Sequence, residues 1–288
     1  MKILVTGATG FIGNNLINDL IQDTRLEIIT SSRDSKKIKN FDWFSKTKHI
    51  PYDINSNKEL NLYEYFGKPE RVIHLAWDGL PNYGDLVHIE KNLFNNFIFV
   101  KNLISNGLKD ISITGTCFEY GLVEGCLKED LVTKPSNPYA IAKDCLRKFI
   151  EELKKQYDFN YKWIRLFYMF GEGQSKTSLI ALLDQAIKEG KKEFNMSGGE
   201  QHRDYLHIKE VVSNIIKIAL QNKIDNQIIN CCSGSPISIK EFVENYLIEK
   251  RYDMKLNLGH YPYSEFEPMS FWGDNGKLQS VIHENIKL

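Results

Sequence analysis

The sequence lacks both a long apolar stretch and an excess of charge of one sign. Its 37 basic residues balance 37 acidic residues, so no overall field attracts nucleic acid or an anionic membrane. A membrane-spanning helix needs about 20 apolar residues, and the N-terminal apolar run ends at Thr6, too soon for a signal sequence. We therefore expect small-molecule partners or a second copy of the chain, and neither nucleic acid nor a membrane.

Cysteine is also scarce, and its spacing fits neither a metal site nor a disulfide framework. The five cysteines are Cys117, Cys126, Cys145, Cys231 and Cys232. An odd, scattered set is typical of small buried side chains in a reducing compartment, so we expect a cytoplasmic location and no metal. With 288 residues, 42% of them hydrophobic, the chain can form one large α/β unit with a smaller lobe.

The first motif present is a glycine-rich turn between an apolar run and a segment with helical spacing. Residues 6–13 read TGATGFIG. In a strand-turn-helix context, Gly7 permits the tight turn, Gly10 lets backbone N–H groups approach a pyrophosphate, and Gly13 lets the helix lie close to the strand. Glycines also serve ordinary turns, but this context favours a dinucleotide site. Its candidate contacts are Gly7, Thr9, Gly10, Phe11, Ile12 and Gly13.

Apolar strands alternate with amphipathic helices through the first part of the chain. The predicted strands are Ile3–Val5, Leu26–Thr30, His49–Tyr52, Arg71–Leu75, Ile111–Thr114 and Tyr161–Leu166. The main helices predicted between them are Ile89–Leu103 and Tyr139–Gln156. This alternation predicts an α/β fold with a doubly wound parallel sheet that binds ligands at the carboxyl ends of its strands.

The pattern becomes less regular after Gly171. We predict a dinucleotide-binding domain over residues 1–171 and a smaller, mainly substrate-binding lobe over residues 172–288. The helices predicted there are Ser178–Glu189, Lys209–Leu220 and Ile239–Lys250. A predicted strand, Gln227–Cys232, returns to the main sheet.

The second informative motif is segment 137–143, NPYAIAK. Asn137 suits an N-cap and Pro138 the first helical position, so Tyr139 falls in the first turn and Lys143 one turn later on the same face. A neighbouring cation favours the ionised form of a phenol, whose free pKa of about 10 is too high for ready proton exchange near neutrality. The pair is therefore a candidate acid/base unit, although a lone Tyr-x-x-x-Lys also fits a packed tyrosine and an exposed lysine.

A third candidate lies where the fifth predicted strand ends in hydroxyl residues. At the carboxyl edge of the sheet, such a side chain can hydrogen-bond a substrate oxygen. Thr116 is preferred because of its spacing before Tyr120 and Gly121, while Thr114 fits an ordinary strand position.

Together these motifs resemble the extended short-chain dehydrogenase/reductase family, in its branch of nucleotide-sugar epimerases, dehydratases and reductases. The resemblance covers almost the whole chain. Its motifs are the glycine turn, Asp53-Ile54, His74-Leu75-Ala76, Asn92, the Thr116 segment, Tyr139 with Lys143, Arg165-Leu166-Phe167, Gly171-Glu172-Gly173-Gln174 and residues 201–208, QHRDYLHI.

The resemblance implies a role for each matching position. Thr116 becomes the hydroxyl donor, Tyr139 the acid/base and Lys143 the ribose-binding lysine. Further cofactor contacts are implied at Asp53 and Ile54, near the adenine, and at Leu75 and Ala76, in the cofactor cleft.

The resemblance also implies where a nucleotide-sugar substrate would bind. Arg203 would meet the diphosphate with its guanidinium fork; the alternative is an internal ion pair with Asp204. Tyr168 stands where many relatives carry asparagine, so we expect substrate contacts to differ there. The remaining candidate substrate contacts are Trp77 and Lys176.

One departure from the family pattern bears on the reaction. The dehydratases of this branch follow the threonine with an Asp-Glu pair, whereas this chain has Cys117 and Phe118. Glu119 comes one position later and, in a strand, would project to the opposite face. We therefore do not expect a dehydratase.

The end of the second predicted strand carries a signal for cofactor choice. An acidic residue there favours NAD, whereas arginine accommodates a 2′-phosphate. The chain has Ser32 and Arg33, with Lys36 and Lys37 close behind. This favours NADP(H), with NAD(H) possible; the alternative is a solvated basic loop.

The resemblance then implies an NADPH-dependent reductase. The expected substrate is the C4 ketone of a nucleoside-diphosphate 4-keto-6-deoxy sugar, made for a bacterial surface polysaccharide. The first alternative is a nucleotide-sugar 4-epimerase with tightly bound NAD, and the second is a non-catalytic dinucleotide sensor. Many relatives dimerise through the two main helices, so we expect a homodimer with an apolar face that includes Phe94, Phe97, Ile98 and Phe99.

Overall fold

The computed structural model describes residues 1–34, 36–56, 60–222, 226–263 and 267–282. Within them the helices are α1 (Phe11–Leu20), α2 (Leu62–Tyr65), α3 (Phe94–Ser105), α4 (Pro138–Lys154), α5 (Leu179–Lys188), α6 (Ile208–Leu220), α7 (Ile239–Glu249) and α8 (Gly276–Ile282). The strands are β1 (Lys2–Thr6), β2 (Glu27–Ser31), β3 (Lys48–His49), β4 (Arg71–His74), β5 (Asp110–Thr116), β6 (Gly125–Leu127), β7 (Asn160–Leu166), β8 (Tyr168–Phe170), β9 (Glu193–Asn195), β10 (His202–Arg203), β11 (Tyr205–His207), β12 (Gln227–Cys231), β13 (Ile237–Ser238), β14 (Lys255–Asn257) and β15 (Phe271–Gly273).

Seven of these strands form one sheet in the order β12-β7-β5-β4-β1-β2-β3. All neighbouring pairs in this sheet are parallel. Chain order reverses beside β1, which creates the crevice at which dinucleotides bind in open α/β sheets. This topology confirms the predicted doubly wound parallel fold.

Side chains of β1 alternate between the two faces of the sheet, as strand geometry requires. Ile3 and Val5 belong to a core cluster shared with residues of α1, α6 and α8. Leu4 belongs to the opposite cluster, which is shared with residues of α3 and α4. Because both faces are covered by helices, the sheet is buried on both sides.

The glycines between β1 and α1 allow the helix to start directly against the strand. Gly7 has φ +70°, a conformation that L side chains rarely adopt. A Cβ on Gly13 would lie 2.2 Å from the Gly7 carbonyl oxygen, and a Cβ on Gly7 would lie 2.8 Å from the Ala76 backbone nitrogen. The backbone therefore packs too closely here for any side chain, as the sequence analysis expected for Gly13, while the φ of Gly7 agrees with the tight turn expected there.

A separate core cluster packs around α5 and α7 and includes the buried residues Leu183 and Val243. Short two-stranded pairings accompany it: β11 with β8, β14 with β9, and β10 with β13. These strands have two or three residues each, too few to show an alternating pattern, and the sequence analysis missed them. The strand β12, which lies between α5 and α7 in sequence, pairs with β7 in the main sheet.

Two local predictions differ from the structure. The third strand, expected over His49–Tyr52, is limited to Lys48–His49. The strand β5 ends at Thr116, and residues Cys117–Tyr120 form a 3-10 turn instead of continuing the strand. Glu119 therefore does not project from the opposite face of a strand but folds back into the interior. Among the residues described, no helix has the length and apolar character that a membrane span requires.

Candidate functional site

A cleft of about 230 Å³ opens at the carboxyl ends of β1, β2 and β4. Its wall is formed by Thr6, Gly7, Thr9, Gly10, Ser31, Ser32, Arg33, Tyr52, Asp53, Ile54, Asn55, Leu75, Ala76, Trp77, Asp78, Asn92, Asn96 and Phe99. Most of the residues that the sequence analysis proposed for the cofactor are therefore in one place. Phe11, Ile12 and Gly13 lie beside it in the first turn of α1.

The cleft has two features that fit a dinucleotide. Gly10 is the N-cap of α1 and provides no side-chain hydrogen bond, so the first backbone N–H groups of the helix are available to an anion. The Ser32 hydroxyl oxygen is buried without a hydrogen-bond partner, although its residue lines the cleft. A buried unpartnered hydroxyl is costly, and a ligand phosphate or ribose would satisfy it.

Arg33 stands at the rim of the cleft in contact with a carboxylate. Its Nη1 lies 2.9 Å from Asp78 Oδ2, and its side chain is 60% exposed. Asn55 Nδ2 donates to the same oxygen at 2.8 Å. The strand β2 ends without an acidic residue, but the loop after β4 brings the Asp78 carboxylate into contact with Arg33, just beyond the end of β2.

A buried hydrogen-bond chain lies between β1, β4 and α3. His74 Nδ1 is 2.8 Å from Thr6 Oγ1, and His74 Nε2 is 2.8 Å from Asn96 Oδ1. Asn96 Nδ2 donates to the Asn92 carbonyl oxygen, so its Oδ1 is the acceptor for a proton on His74 Nε2. Burial, with the nearby Lys143 charge, lowers the pKa of His74 to about 3, and the ring is neutral.

Tyr139 and Lys143 lie on one face of α4, as the motif predicted. Asn137 caps the helix by accepting a hydrogen bond from Ala140 N at 2.9 Å, and Pro138 is the first helical residue. The exposed fraction is 8% for Tyr139 and 2% for Lys143. Both are therefore enclosed at the inner end of the helix.

Trp77 links the two side chains to the cleft. Lys143 Nζ lies 4.0 Å from the centre of the Trp77 ring, a cation–π contact, and the rings of Tyr139 and Trp77 lie 6.0 Å apart. The Trp77 indole donates to His88 Nδ1 at 3.1 Å. Lys143 Nζ also donates to the Thr114 carbonyl oxygen at 2.8 Å.

The pKa of Tyr139 is shifted in the direction opposite to the sequence expectation. Burial raises the pKa of Tyr139 well above its usual range, and the negative forms of Tyr83, Glu119 and Cys117 raise it further. A hydrogen bond with the Thr116 hydroxyl acts the other way. Burial is the largest cause because the ionised phenol would lie in a low-dielectric interior. Tyr139 is therefore held in its protonated form.

Lys143 is shifted toward its neutral form by the same burial. Its pKa falls to about 7, although the Glu119 carboxylate raises it. The interior thus favours the uncharged state of both members of the pair.

Thr116 occupies the N-cap position of the 3-10 turn that follows β5. Its Oγ1 accepts a hydrogen bond from Phe118 N at 3.3 Å, and its own N–H donates to Glu119 Oε1 at 2.9 Å. This reciprocal arrangement is a capping box. It places the Thr116 hydroxyl beside Tyr139.

Arg203 forms an internal ion pair, but not with the residue that the sequence analysis proposed. Arg203 is fully buried, and its Nη2 lies 2.8 Å from Glu267 Oε2. The Tyr168 hydroxyl donates to the same oxygen at 2.8 Å. Asp204 instead accepts hydrogen bonds from the backbone N–H groups of Ser233 and Gly234.

The structure brings most candidate residues together. Trp77, expected on the substrate side, lies in the wall of the cleft formed by the ends of β1, β2 and β4, and against Lys143. Lys176 lies on an exposed segment between β8 and α5. The sequence analysis missed Asp78, His88 and Glu267, whose roles depend on contacts between distant segments. Among the described residues, no group of histidine, cysteine and carboxylate side chains could hold a metal ion.

Comparison with known sequences identifies one matching family. The profile of the NAD dependent epimerase/dehydratase family matches residues 3–232. Among curated relatives, dTDP-6-deoxy-L-talose 4-dehydrogenase (NAD(+)) of Aggregatibacter actinomycetemcomitans is 27% identical over 95% of this chain and 99% of its own. The dTDP-4-dehydro-6-deoxyglucose reductase of Escherichia coli is 26% identical over 89% of this chain and 84% of its own.

Comparison with solved structures agrees on the fold. UDP-glucuronic acid 4-epimerase from Bacillus cereus, in complex with UDP-glucuronic acid and NAD, superposes with a TM-score of 0.84 at 22% identity. The alignment covers all of this chain and 95% of the epimerase chain.

The depressed pKa of Lys143 predicts how stability depends on pH. In the unfolded chain this amine titrates near 10.5, and in the folded protein near 7. Between these pH values the unfolded chain binds more protons than the folded protein. Burial of the Lys143 amine therefore destabilises the fold fully below pH 7, and this destabilisation declines as the pH rises toward 10.5. In urea titrations at pH 7 and pH 9, the free energy of unfolding of the wild type should rise relative to Lys143→Met by about 2 kcal/mol.

The control is Lys148→Met, which changes an exposed lysine of the same helix. We expect this variant to follow the wild-type pH dependence. A difference between wild type and Lys143→Met that is equal at both pH values would contradict the assigned burial of the amine.

Proposed function

The chain belongs to the NAD dependent epimerase/dehydratase family, and we propose that within this family it uses NADPH to reduce the C4 ketone of a nucleoside-diphosphate 4-keto-6-deoxy sugar. Family membership confirms the resemblance found in the sequence and the expectation of an NAD(P)-dependent enzyme. The proposed role, synthesis of a deoxysugar for a bacterial surface polysaccharide, and a cytoplasmic location remain predictions from the sequence.

One observation supports the choice of reaction. Thr116, Tyr139 and Lys143 lie close together, and the positions after Thr116 do not provide an acid/base pair that could eliminate water. Burial raises the pKa of the Cys117 thiol, and Phe118 has no titratable group. Glu119, the remaining acid of this segment, is fully buried in contact with Arg165. This set of residues suits oxidation and reduction at a carbinol carbon and does not suit loss of water.

The relatives support the same choice. Two of them are named for a 4-dehydrogenase of a 6-deoxy-talose nucleotide and a reductase of a 4-dehydro-6-deoxyglucose nucleotide. The first of these aligns over nearly the full length of both chains. Both names describe a redox change at C4 of a 6-deoxy sugar, which is the class proposed here.

In the proposed reaction, Tyr139 donates a proton to the C4 oxygen as the ketone becomes a secondary alcohol. Its raised pKa keeps the phenol protonated across the neutral range, so the proton is present for transfer, while the same shift makes the phenol a weaker acid. Thr116 donates a hydrogen bond to the same oxygen. Bound NADPH supplies the hydride, held by the glycine turn, Ser32 and Arg33, with Lys143 at the ribose.

The substrate diphosphate is proposed to meet Arg203. Two N–H groups of Arg203 now face Glu267 Oε2, at 3.3 Å from Nε and 2.8 Å from Nη2. The diphosphate therefore competes with, or binds beside, a carboxylate that already neutralises this guanidinium. Trp77, Tyr168 and Lys176 are proposed as further substrate contacts, and residues 172–288 as a mainly substrate-binding lobe that supplies Lys176 and Arg203.

A second candidate is a nucleotide-sugar 4-epimerase that retains NAD. It is favoured by the carboxylates of Asp53 and Asp78 in the cleft wall, because an acidic side chain can accept hydrogen bonds from the ribose hydroxyls of NAD. Asp78 also pairs with Arg33 and reduces its charge toward a 2′-phosphate. The same Thr116, Tyr139 and Lys143 would serve this reaction.

We also propose a homodimer through α3 and α4. Phe94 is 54% and Ile98 56% exposed, and their spacing of four residues places them on one side of α3. By contrast, Phe99 is buried in the chain's own core, and Phe97 packs against Phe149. Two of the four expected residues therefore remain for contact with a second copy.

The reaction is tested with a panel of nucleoside-diphosphate 4-keto-6-deoxy sugars that carry different bases. Loss of NADPH absorbance is expected with at least one sugar, and Tyr139→Phe should lower kcat by about a thousandfold because it removes the proton donor. The dissociation constant for NADPH should stay nearly unchanged. Absence of NADPH oxidation with every sugar, combined with C4 epimerisation by retained NAD, would favour the second candidate.

The cofactor preference is tested at Arg33. If Arg33 contacts the 2′-phosphate, Arg33→Gln should lower kcat/KM for NADPH on the order of tenfold and leave that for NADH nearly unchanged. Lys46→Gln makes the same charge change at an exposed lysine that does not line the cleft and should alter neither value. Equal or better use of NADH by the wild type would overturn the proposed preference.

The dimer is tested by sedimentation of the purified chain. The expected mass is twice 33.4 kDa, and Ile98→Asp should shift the protein to the monomer because it buries a charge in the proposed contact. Ile248→Asp changes an isoleucine of α7 that is 73% exposed and should leave the mass unchanged. A monomeric wild type at micromolar concentration would contradict the proposal.

A further inference from the structure

Glu119 is a buried carboxylate that the proposed reaction does not use. None of its surface is exposed to solvent. Its two oxygens accept hydrogen bonds from three different groups: the Thr116 N–H, the Trp163 indole and the Arg165 guanidinium. A buried charge with this many partners is held in one position.

The anchor for Glu119 comes from the neighbouring strand β7. Trp163 Nε1 donates to Oε1 at 2.9 Å and lies 3.2 Å from Oε2, while Arg165 Nε donates to Oε2 at 2.8 Å. Arg147 of α4 lies 4.0 Å from the same Oε2. The carboxylate is therefore fixed by elements outside its own turn.

Gly115 leaves the space that this arrangement needs. A Cβ at this position would lie 2.2 Å from Trp163 Nε1 and 2.4 Å from Glu119 Oε1. Residue 115 therefore has to be glycine, because any side chain there would occupy the space in which the Glu119 carboxylate contacts the Trp163 indole.

The consequence is a defined direction for the Thr116 hydroxyl. The Thr116 N–H is bound by Glu119, and Thr116 Oγ1 accepts from Phe118 N. Because one lone pair of the oxygen faces a backbone donor, the hydroxyl proton is left to donate elsewhere. The Thr116 hydroxyl lies close enough to Tyr139 to lower the pKa of that phenol.

We propose that Glu119 is a positioning residue, which acts through Thr116 by fixing its backbone so that the hydroxyl can donate to the substrate oxygen beside Tyr139. This inference rests on the proposed function for the identity of the reacting oxygen. The inference assigns a role to Glu119, which follows Cys117 and Phe118, the two positions that hold the Asp-Glu pair in the dehydratases. Glu119 holds the Thr116 backbone through the Thr116 N–H and does not exchange protons with the substrate.

The test combines two single variants and their double variant. Glu119→Gln keeps the shape of the side chain but places an amide donor against Trp163 or Arg165, so the anchor is disturbed. We expect kcat to fall about a hundredfold, while KM for the sugar nucleotide and the dissociation constant for NADPH change by less than about twofold. Thr116→Val, which removes the hydroxyl, should lower kcat by at least as much.

The double variant distinguishes positioning from general structural damage. If Glu119 acts through Thr116, Glu119→Gln should have almost no further effect on kcat in the Thr116→Val background. Effects that multiply would overturn the proposal. The matched control is Asp144→Asn, which neutralises another buried carboxylate paired with Arg147 at 2.7 Å but does not contact Thr116. A loss of kcat in Glu119→Gln no greater than in Asp144→Asn would also overturn it.

Hydrogen exchange at the Thr116 amide provides a readout that needs no substrate. Exchange should be slow in the wild type and at least about tenfold faster in Glu119→Gln, because the carboxylate is its acceptor. An unchanged exchange rate of the Thr116 amide in Glu119→Gln would contradict the proposal that Glu119 holds this amide. If the wild type reduces none of the sugars, the proposed function fails, whereas faster exchange in the variant still supports the anchor.

If Glu119→Gln does not fold, Trp163→Phe tests the same proposal. Trp163→Phe removes the indole donor and leaves the carboxylate and Arg165 in place. We expect a smaller loss of kcat, about tenfold, and faster exchange at Thr116. Wild-type values for both quantities in a folded Trp163→Phe protein would contradict the proposal.

Discussion

Parallel alignment of β1, β4 and β5 is the constraint on which the rest of the structure depends. Because these strands run in the same direction, their carboxyl ends meet at one edge of the sheet. The glycine turn, the loop with Trp77 and the capping box at Thr116 begin at that edge. Lys143 reaches it from α4 by donating to the Thr114 carbonyl oxygen at 2.8 Å. No single segment of the chain contains these groups together.

Burial at this edge favours neutral groups beside the proposed reaction. The pKa of His74 is lowered to about 3 and that of Lys143 to about 7, while that of Tyr139 is raised, and burial is the largest cause each time. The remaining charges nearby are paired, as Glu119 is with Arg165. Burial therefore holds Tyr139 protonated but also makes it a weaker acid, because the phenolate left by proton donation would lie in the same low-dielectric interior.

Local features of the site could be predicted from the sequence because they depend on a few neighbouring residues. Asn137 caps α4, and the sterics at Gly13 follow from a strand-turn-helix context. The state of Glu119 could not be predicted, since a 3-10 turn replaced the expected strand and its partners lie on β7. Similarly, Arg203 pairs with Glu267, which is 64 residues away.

The sequence by itself determined the parallel α/β fold, the glycine turn and the placement of Tyr139 and Lys143 on one face of a helix. These depend on periodicity and on short-range backbone geometry, which neighbouring residues encode. Only the tertiary structure decided the direction of the Tyr139 pKa shift and the partner of Arg203, because desolvation and ion pairing depend on which distant groups enclose a side chain. The anchoring of Thr116 by Glu119 belongs to the same class, since it requires β7 to lie beside β5.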